Sequence, residues 1–292
     1  MKDYFLIVLS ALLLAVCFIL QKLFQTRTAD TTESGVNFSI LSASFSIILL
    51  VITSGFSISF TPYSVINVII RSTFCLVHTV LGFKIMKAGS VALHMLFLMS
   101  GGMLVPAVWG WIFLNEEPKP LHVVGLVVIL ISIILNNMGS GRPSTKVILM
   151  CSVVFVVNGF VSTLAKLHQI EAVYATVSTA EYTLLSSMAS LIMSLALRGV
   201  LHLKNKGEAI KSNCFKLFPI SIVALSGIVS TLSSLLQLEG AKNLPASMLF
   251  PLQSGGSIAF SGILALIFFK EKLSKRGWIA VTLCVIGTCL FI

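Results

Sequence analysis

The sequence predicts an all-α polytopic membrane protein with ten transmembrane helices arranged as two inverted five-helix repeats. Three observations carry this. The 292 residues are 57% hydrophobic and only 10% charged, against about 25% charged in a soluble domain, and the mean hydropathy is +1.02. Cutting the chain at charges, Pro and Gly leaves ten apolar stretches, most of them near the ~20 residues that cross a hydrocarbon core of about 30 Å. One phrase is also written twice: Leu96–Pro118, LFLMSGGMLVPAVWGWIFLNEEP, and Phe250–Lys272, FPLQSGGSIAFSGILALIFFKEK.

The expected spans are 4–23, 38–54, 63–84, 90–114, 121–138, 146–166, 174–197, 217–238, 245–269 and 277–292. They must be helical, because lipid leaves bare backbone groups unpaired. The runs are continuous rather than alternating, which excludes a barrel. The first run is read as a retained helix: Gln21-Lys22-Leu23 follows it, with no small-residue cleavage site. The 54–63 connection is a turn by its Gly and Pro.

Ser100-Gly101-Gly102 and Ser254-Gly255-Gly256 lie 154 positions apart, and Ala92/Ala246, Leu98/Leu252 and Glu117/Glu271 share that offset. Lys22-Leu23-Phe24-Gln25 resembles Lys166-Leu167-His168-Gln169 at an offset of 144, the difference being absorbed near 198–216. Residues 1–140 and 141–292 therefore read as two copies of one unit. Five spans per copy is odd, so successive copies enter the membrane from opposite sides, an architecture common among secondary transporters. The paired glycines Gly101, Gly102, Gly255 and Gly256 suit close helix approach.

The segments GWIFLNEEPKPLHVVGLVVIL (Gly110–Leu130) and ALIFFKEKLSKRGWIAVTLCVIG (Ala265–Gly287) resemble the duplicated EamA units of the drug/metabolite transporter superfamily. In that pattern a glutamate closes the fourth and ninth helices and a small residue follows about nine positions on. Glu116 with Gly125 and Glu271 with Ala280 fit, with Glu117 a neighbouring alternative, and Leu244–Gln253 resembles the start of the ninth helix. The halves differ where Val91 and Phe97 face Pro245 and Pro251. The resemblance covers the whole chain. It implies a small-molecule carrier in a cell membrane, bacterial plasma membrane being the expected setting, with cargo ranging from amino acids to cations and drugs.

Ten acidic residues are present, and only Glu181 falls inside an expected span, seven residues beyond Tyr174 and so about 10 Å deep at 1.5 Å per residue. A carboxylate there must pair, hold a cation or take a proton. The other reading starts span 7 near Ala180 and leaves Glu181 among headgroups; we take the buried reading. Arg71 and His78 share a face of span 3. Arg71 either snorkels to the surface or faces a cavity, where it would favour an anionic cargo. His78 is a titrating group or a packed neutral ring. Asn158, Gln253, Ser254 and Ser100 are mid-span polar residues that line a pathway or cross-link helices. Lys22 and Lys166 read as interfacial anchors.

The net charge of +10 belongs to loops and headgroup contacts rather than nucleic acid. No catalytic, metal or cofactor motif is found; Gly139–Lys146, GSGRPSTK, lacks the Gly-Lys-Ser/Thr ending of a phosphate loop. The six cysteines form no metal spacing, and Asn37-Phe-Ser39 matches a glycosylation sequon at the edge of an apolar run. The expected activity is secondary or facilitative transport of a small polar or cationic metabolite or drug by alternating access. The rival is a non-transporting scaffold or accessory subunit. Proton coupling, direction, and monomer or homodimer stay open. Lys and Arg number 5 at the end holding the termini and 15 at the other, which places the termini outside; the resemblance implies termini inside.

Overall fold

The computed structural model describes residues 1–27, 32–53, 58–87, 91–137, 144–204, 217–269 and 275–291. The helices are α1 (Lys2–Arg27), α2 (Thr32–Thr53), α3 (Pro62–Lys87), α4 (Val91–Phe113), α5 (Pro120–Asn137), α6 (Thr145–Ile170), α7 (Thr179–Lys204), α8 (Leu217–Ala241), α9 (Ala246–Phe269) and α10 (Lys275–Cys289). Among the described residues, α1–α4 and α6–α9 contain eight stretches long and apolar enough to cross a membrane, and α5 and α10 are shorter apolar helices. Ile69, Ile134, Ile192, Leu225 and Phe268 are exposed around the bundle. Such a surface is a liability in water and the solvent face in lipid, so this is a multi-pass membrane protein.

Each helix packs chiefly on the opposite half of the chain. α1 packs on α8 and α9, α6 on α3 and α4, α2 on α7 and α8, α7 also on α3, α4 on α9, and α5 on α10. These principal pairs are unchanged when every helix is exchanged for the one five places away. One core joins α1, α4, α5, α9 and α10 through Ile7, Met103, Ala107, Ile129, Leu249 and Cys284. A second joins α3, α6, α7 and α8 through Val68, Ala165, Tyr182, Leu185 and Leu238.

The Ser-Gly-Gly triplets sit where helices cross. A side chain at Gly101 would run into the backbone carbonyl of Phe155 in α6, and one at Gly102 into the Asn158 amide. Gly255 receives Ile129 and Thr288, and Gly256 receives Ala11. Only glycine lets α4 and α6 backbones meet this closely.

At the end of the bundle near Lys2, two charges hold the α8–α9 turn. Glu116 accepts hydrogen bonds from the amides of Ala246 (2.6 Å) and Ser247 (2.9 Å) and from the Ser247 hydroxyl (2.6 Å). This places a carboxylate on the positive end of α9. Lys166 donates to the carbonyls of Ala241 (2.5 Å) and Leu244 (2.7 Å) at the close of α8. Lys166 is only 5% exposed, which corrects its reading as an interfacial anchor: the sequence does not show that two orphan carbonyls lie within its reach. Gly125 meets the Gly287 carbonyl, and Ser132 donates to the Ala280 carbonyl (2.6 Å), both at the α5–α10 crossing. Glu271 lies outside the described residues, as do Cys214 and most of Gly139–Lys146. Asn37 is 6% exposed within α2, no position for a glycan.

The expected start of span 7 is corrected. α7 begins at Thr179, five residues later than the sequence reading, because Ser178 and Glu181 form a capping box. The Glu181 amide donates to the Ser178 hydroxyl (3.3 Å), and the Glu181 carboxylate accepts from the Ser178 amide (2.9 Å) and hydroxyl (2.7 Å). Residues 171–178 run non-helically across the end of the bundle.

Candidate functional site

The site begins with hydroxyls at helical spacing. Ser39, Ser42 and Ser46 in α2 are three and four residues apart, which sets them on one face. Thr183, Ser186 and Ser190 in α7 repeat the pattern, each 144 positions later. The two faces oppose each other across a cavity of about 380 Å³ that α3, α6 and α8 complete with Arg71, Ser162 and Gln237. That is the low end of the ~300–1,000 Å³ of small-molecule sites, room for about a dozen waters. A smaller cavity of about 120 Å³ shares Ser39 and Ser190 and is lined further along α3 by Ser72, Cys75 and Thr79.

Much of the wall is satisfied without a solute. The hydroxyl of Ser39 donates to the Gly35 carbonyl (3.1 Å), that of Ser46 to the Ser42 carbonyl (2.9 Å), and that of Thr183 to the Thr179 carbonyl (2.8 Å). Five buried side-chain polar atoms have no hydrogen-bond partner among the described residues, and three of them belong to residues that line these cavities: Arg71 Nε, Ser186 Oγ and Ser72 Oγ. Arg71 is nine residues into α3, about 14 Å along the helix and near the middle of a ~30 Å core. Arg71 is among the residues that line the larger cavity. The guanidinium lies 6.0 Å from the Tyr182 ring centroid, a cation–π distance. Among the described lining residues Arg71 is the one charged side chain.

Tyr182 is 1% exposed and forms part of a layer between the cavity and the loops at the Lys2 end. Its hydroxyl donates to Asn67 Oδ1 (2.8 Å), and Asn67 Nδ2 donates to the Leu164 carbonyl (3.2 Å). The His168 ring stacks on Tyr182 with centroids 4.0 Å apart, and its Nε2 hydrogen-bonds the Ser64 hydroxyl (2.8 Å). Ser64 Oγ also accepts from the Val177 amide (3.1 Å) and from the Thr61 hydroxyl (2.7 Å). α3, α6, α7 and the 171–178 segment are thus tied together over that end.

Of the residues singled out from the sequence, the cavity gathers Arg71 alone. Asn158 Nδ2 donates to the Leu98 carbonyl (2.7 Å), fastening α6 to α4. Gln253 Nε2 donates to the Ser10 hydroxyl (3.2 Å), and Ser10 exchanges hydrogen bonds with Ser233 (2.8 and 2.9 Å), fastening α9 to α1 and α1 to α8. Ser100 is buried in α4, and the Ser254 carbonyl accepts from the Ser257 hydroxyl (2.9 Å) within α9. His78 lines neither cavity. Glu181 stands in the first turn of α7, not 10 Å within it, and its other oxygen accepts from the Ser59 amide (2.9 Å). Its carboxylate is therefore met by three donors at a helix end, and the physical premise for a lone buried charge falls away.

Sequence reading did not single out the serine faces, Gln237 or His168. The signal for the faces is present: the same three-four hydroxyl spacing recurs at the 144-residue offset already carried by Lys22 and Lys166.

The model of the EamA-like transporter family matches the chain twice, over residues 1–138 and 145–292. A solved structure titled only "Crystal structure of protein" shares the fold with a TM-score of 0.73 and 15% identity, over 99% of this chain and 95% of that one. No curated protein matches the chain.

Proposed function

The chain belongs to the EamA-like transporter family, and from that premise we propose that it is a secondary transporter carrying a small polar solute across a cell membrane by alternating access. The proposed binding site is the α2/α7 cavity. The observation that carries the reading is its construction: a polar void near mid-membrane whose two principal walls come from corresponding positions of the two halves. Secondary transporters place their sites at such repeat interfaces. All ten helices are taken to cross the bilayer as two inverted repeats, divided near residue 140. The packing pairs that survive exchange of the halves and the double family match support this. The Tyr182–His168–Ser64 layer would seal one end of the path, and its parting would expose the cavity on that side. The expected setting is a bacterial plasma membrane.

Counterflow tests the reading. Purified protein in proteoliposomes preloaded with an unlabelled metabolite pool is expected to accumulate at least one labelled member of that pool. Protein with Ser42→Leu and Ser186→Leu, which fill the cavity, is expected not to. Accumulation that survives both changes would remove the α2/α7 cavity as the binding site, and no accumulation with any member of a broad pool would remove the transporter reading in favour of a scaffold or accessory role.

A further inference from the structure

We propose that the cavity recognises its solute through an anionic group, a carboxylate or a phosphate, bound by Arg71 with the Ser186 hydroxyl as a second donor. The inference deepens the transporter reading and rests on it for taking the cavity as the solute's site. A guanidinium does not give up its proton in a protein, so a positive charge stands permanently near the middle of the bundle. Burying such a charge without a partner is costly, and proteins pair it. Here none of the described lining residues is acidic, Arg71 Nε has no hydrogen-bond partner among the described residues, and the face of the Tyr182 ring lies 6.0 Å from the guanidinium. The Ser186 hydroxyl, on the opposing helix and lining the same cavity, is likewise unpartnered. Two unused donors thus belong to residues that line one void, none of whose described lining residues is acidic, and together they suit an acceptor-rich, negatively charged group. The planar fork of arginine suits the two oxygens of a carboxylate or phosphate.

The same surroundings argue against a cationic cargo. A cation entering this cavity would meet Arg71 and find no described carboxylate. Arg71 also breaks the correspondence between halves: at the 154-residue offset that relates the Ser-Gly-Gly triplets its counterpart is Leu225, which is exposed on the outside of the bundle. The charge of the anion site would thus come from the first half alone, although Ser186 belongs to the second and the serine walls come from both.

Binding can be read without transport. In detergent, thermal unfolding is followed by the reactivity of buried Cys17, Cys151 and Cys284 towards a fluorogenic thiol reagent, at constant ionic strength in sodium chloride. The probes are succinate and glutamate, inorganic phosphate and glycerol 3-phosphate, with choline and glycerol as cationic and neutral controls. At least one anion is expected to raise the midpoint of the wild type. Arg71→Gln should weaken the apparent affinity by ~10-fold or more, the scale of losing a charge-assisted bidentate contact. Arg71→Lys should restore part of it and Ser186→Ala should weaken it less. Stabilisation by carboxylates alone or phosphates alone assigns the anion class. The proposal is overturned if no anion stabilises the wild type, if the response is the same in Arg71→Gln, or if choline stabilises instead. Should Arg71→Gln not fold, Arg71→Lys and Ser186→Ala carry the test: an anion response unaltered in both overturns it. Counterflow of a neutral or cationic solute without anion binding would sink the anion site and leave the transporter. Arg71-dependent anion binding without counterflow would do the reverse.

Discussion

Glu181 shows how strongly a single carboxylate's meaning depends on its neighbours. In a helix running from Tyr174 it would be a charge in lipid; with Ser178 before it, it is half of a capping box that also receives the Ser59 amide. Because Gln serves in a capping box as Glu does, Glu181→Gln is expected to cost no more than about 1 kcal/mol and to leave the pH profile of transport unchanged. A flattened pH profile in proteoliposomes would return Glu181 to a coupling role. Glu116 is the opposite case. Its carboxylate takes three donors at the start of α9, so Glu116→Ala should destabilise by about 2 kcal/mol. Unfolding in mixed detergent micelles would measure it.

Helices here are set by what they can approach. At Gly101 the obstacle to a side chain is the Phe155 backbone, whereas at Gly199 in α7 nothing lies within 4 Å. Gly101→Ala must push α6 from α4 and should cost about 2 kcal/mol, within the usual range for overpacking. Gly199→Ala should be neutral or stabilise by up to about 1 kcal/mol through helix propensity. Equal effects in the same unfolding assay would contradict the described crossing. The α6–α7 connection carries a pH signature. Glu171, just beyond α6, accepts from the amides of Val173 (2.8 Å) and Tyr174 (3.2 Å). These backbone donors, aided by Tyr63, hold its carboxyl below the usual carboxylate range. A depressed folded-state value means the turn's extra stability is present above the ordinary carboxylate pKa and is lost as pH falls through the lowered one. Hydrogen exchange should show Val173 and Tyr174 amides protected at neutral pH and released in acid. Glu171→Ala, which removes the acceptor, should show the released behaviour throughout.

Across the molecule, charge decides orientation while packing decides shape. The count that gives five bases to the end with the termini includes Arg71, whose side chain stands at the cavity. Removing it leaves Lys2, Lys119, Lys166 and Lys242 there, and the contrast with the other end grows. By the positive-inside rule the α7–α8 connection, rich in lysine, should face the cytoplasm. A cysteine at Asn205 should resist an impermeant thiol reagent in intact cells and react once they are opened; ready labelling of intact cells would place the termini inside.

Although α2 begins at Thr32 rather than 38 and α7 runs over Thr179–Lys204 rather than 174–197, the sequence by itself determined the lipid environment, the helical class, the doubling of the unit and the order of the helices. Each of these follows from local quantities: apolar length, turn residues and an internal offset. The Ser-Gly-Gly triplets announced close packing because glycine's lack of a side chain is a property of the residue alone. Only the tertiary structure decided which polar residues face the cavity. Asn158, Gln253 and Arg71 look alike in a linear reading, each a polar group within an apolar run. Asn158 and Gln253 find carbonyl or hydroxyl partners on the next helix and become fasteners. Arg71 finds none for its Nε and faces a void. Partnership is a relation between helices distant in sequence, so no property of the residue or its neighbours along the chain could have assigned it.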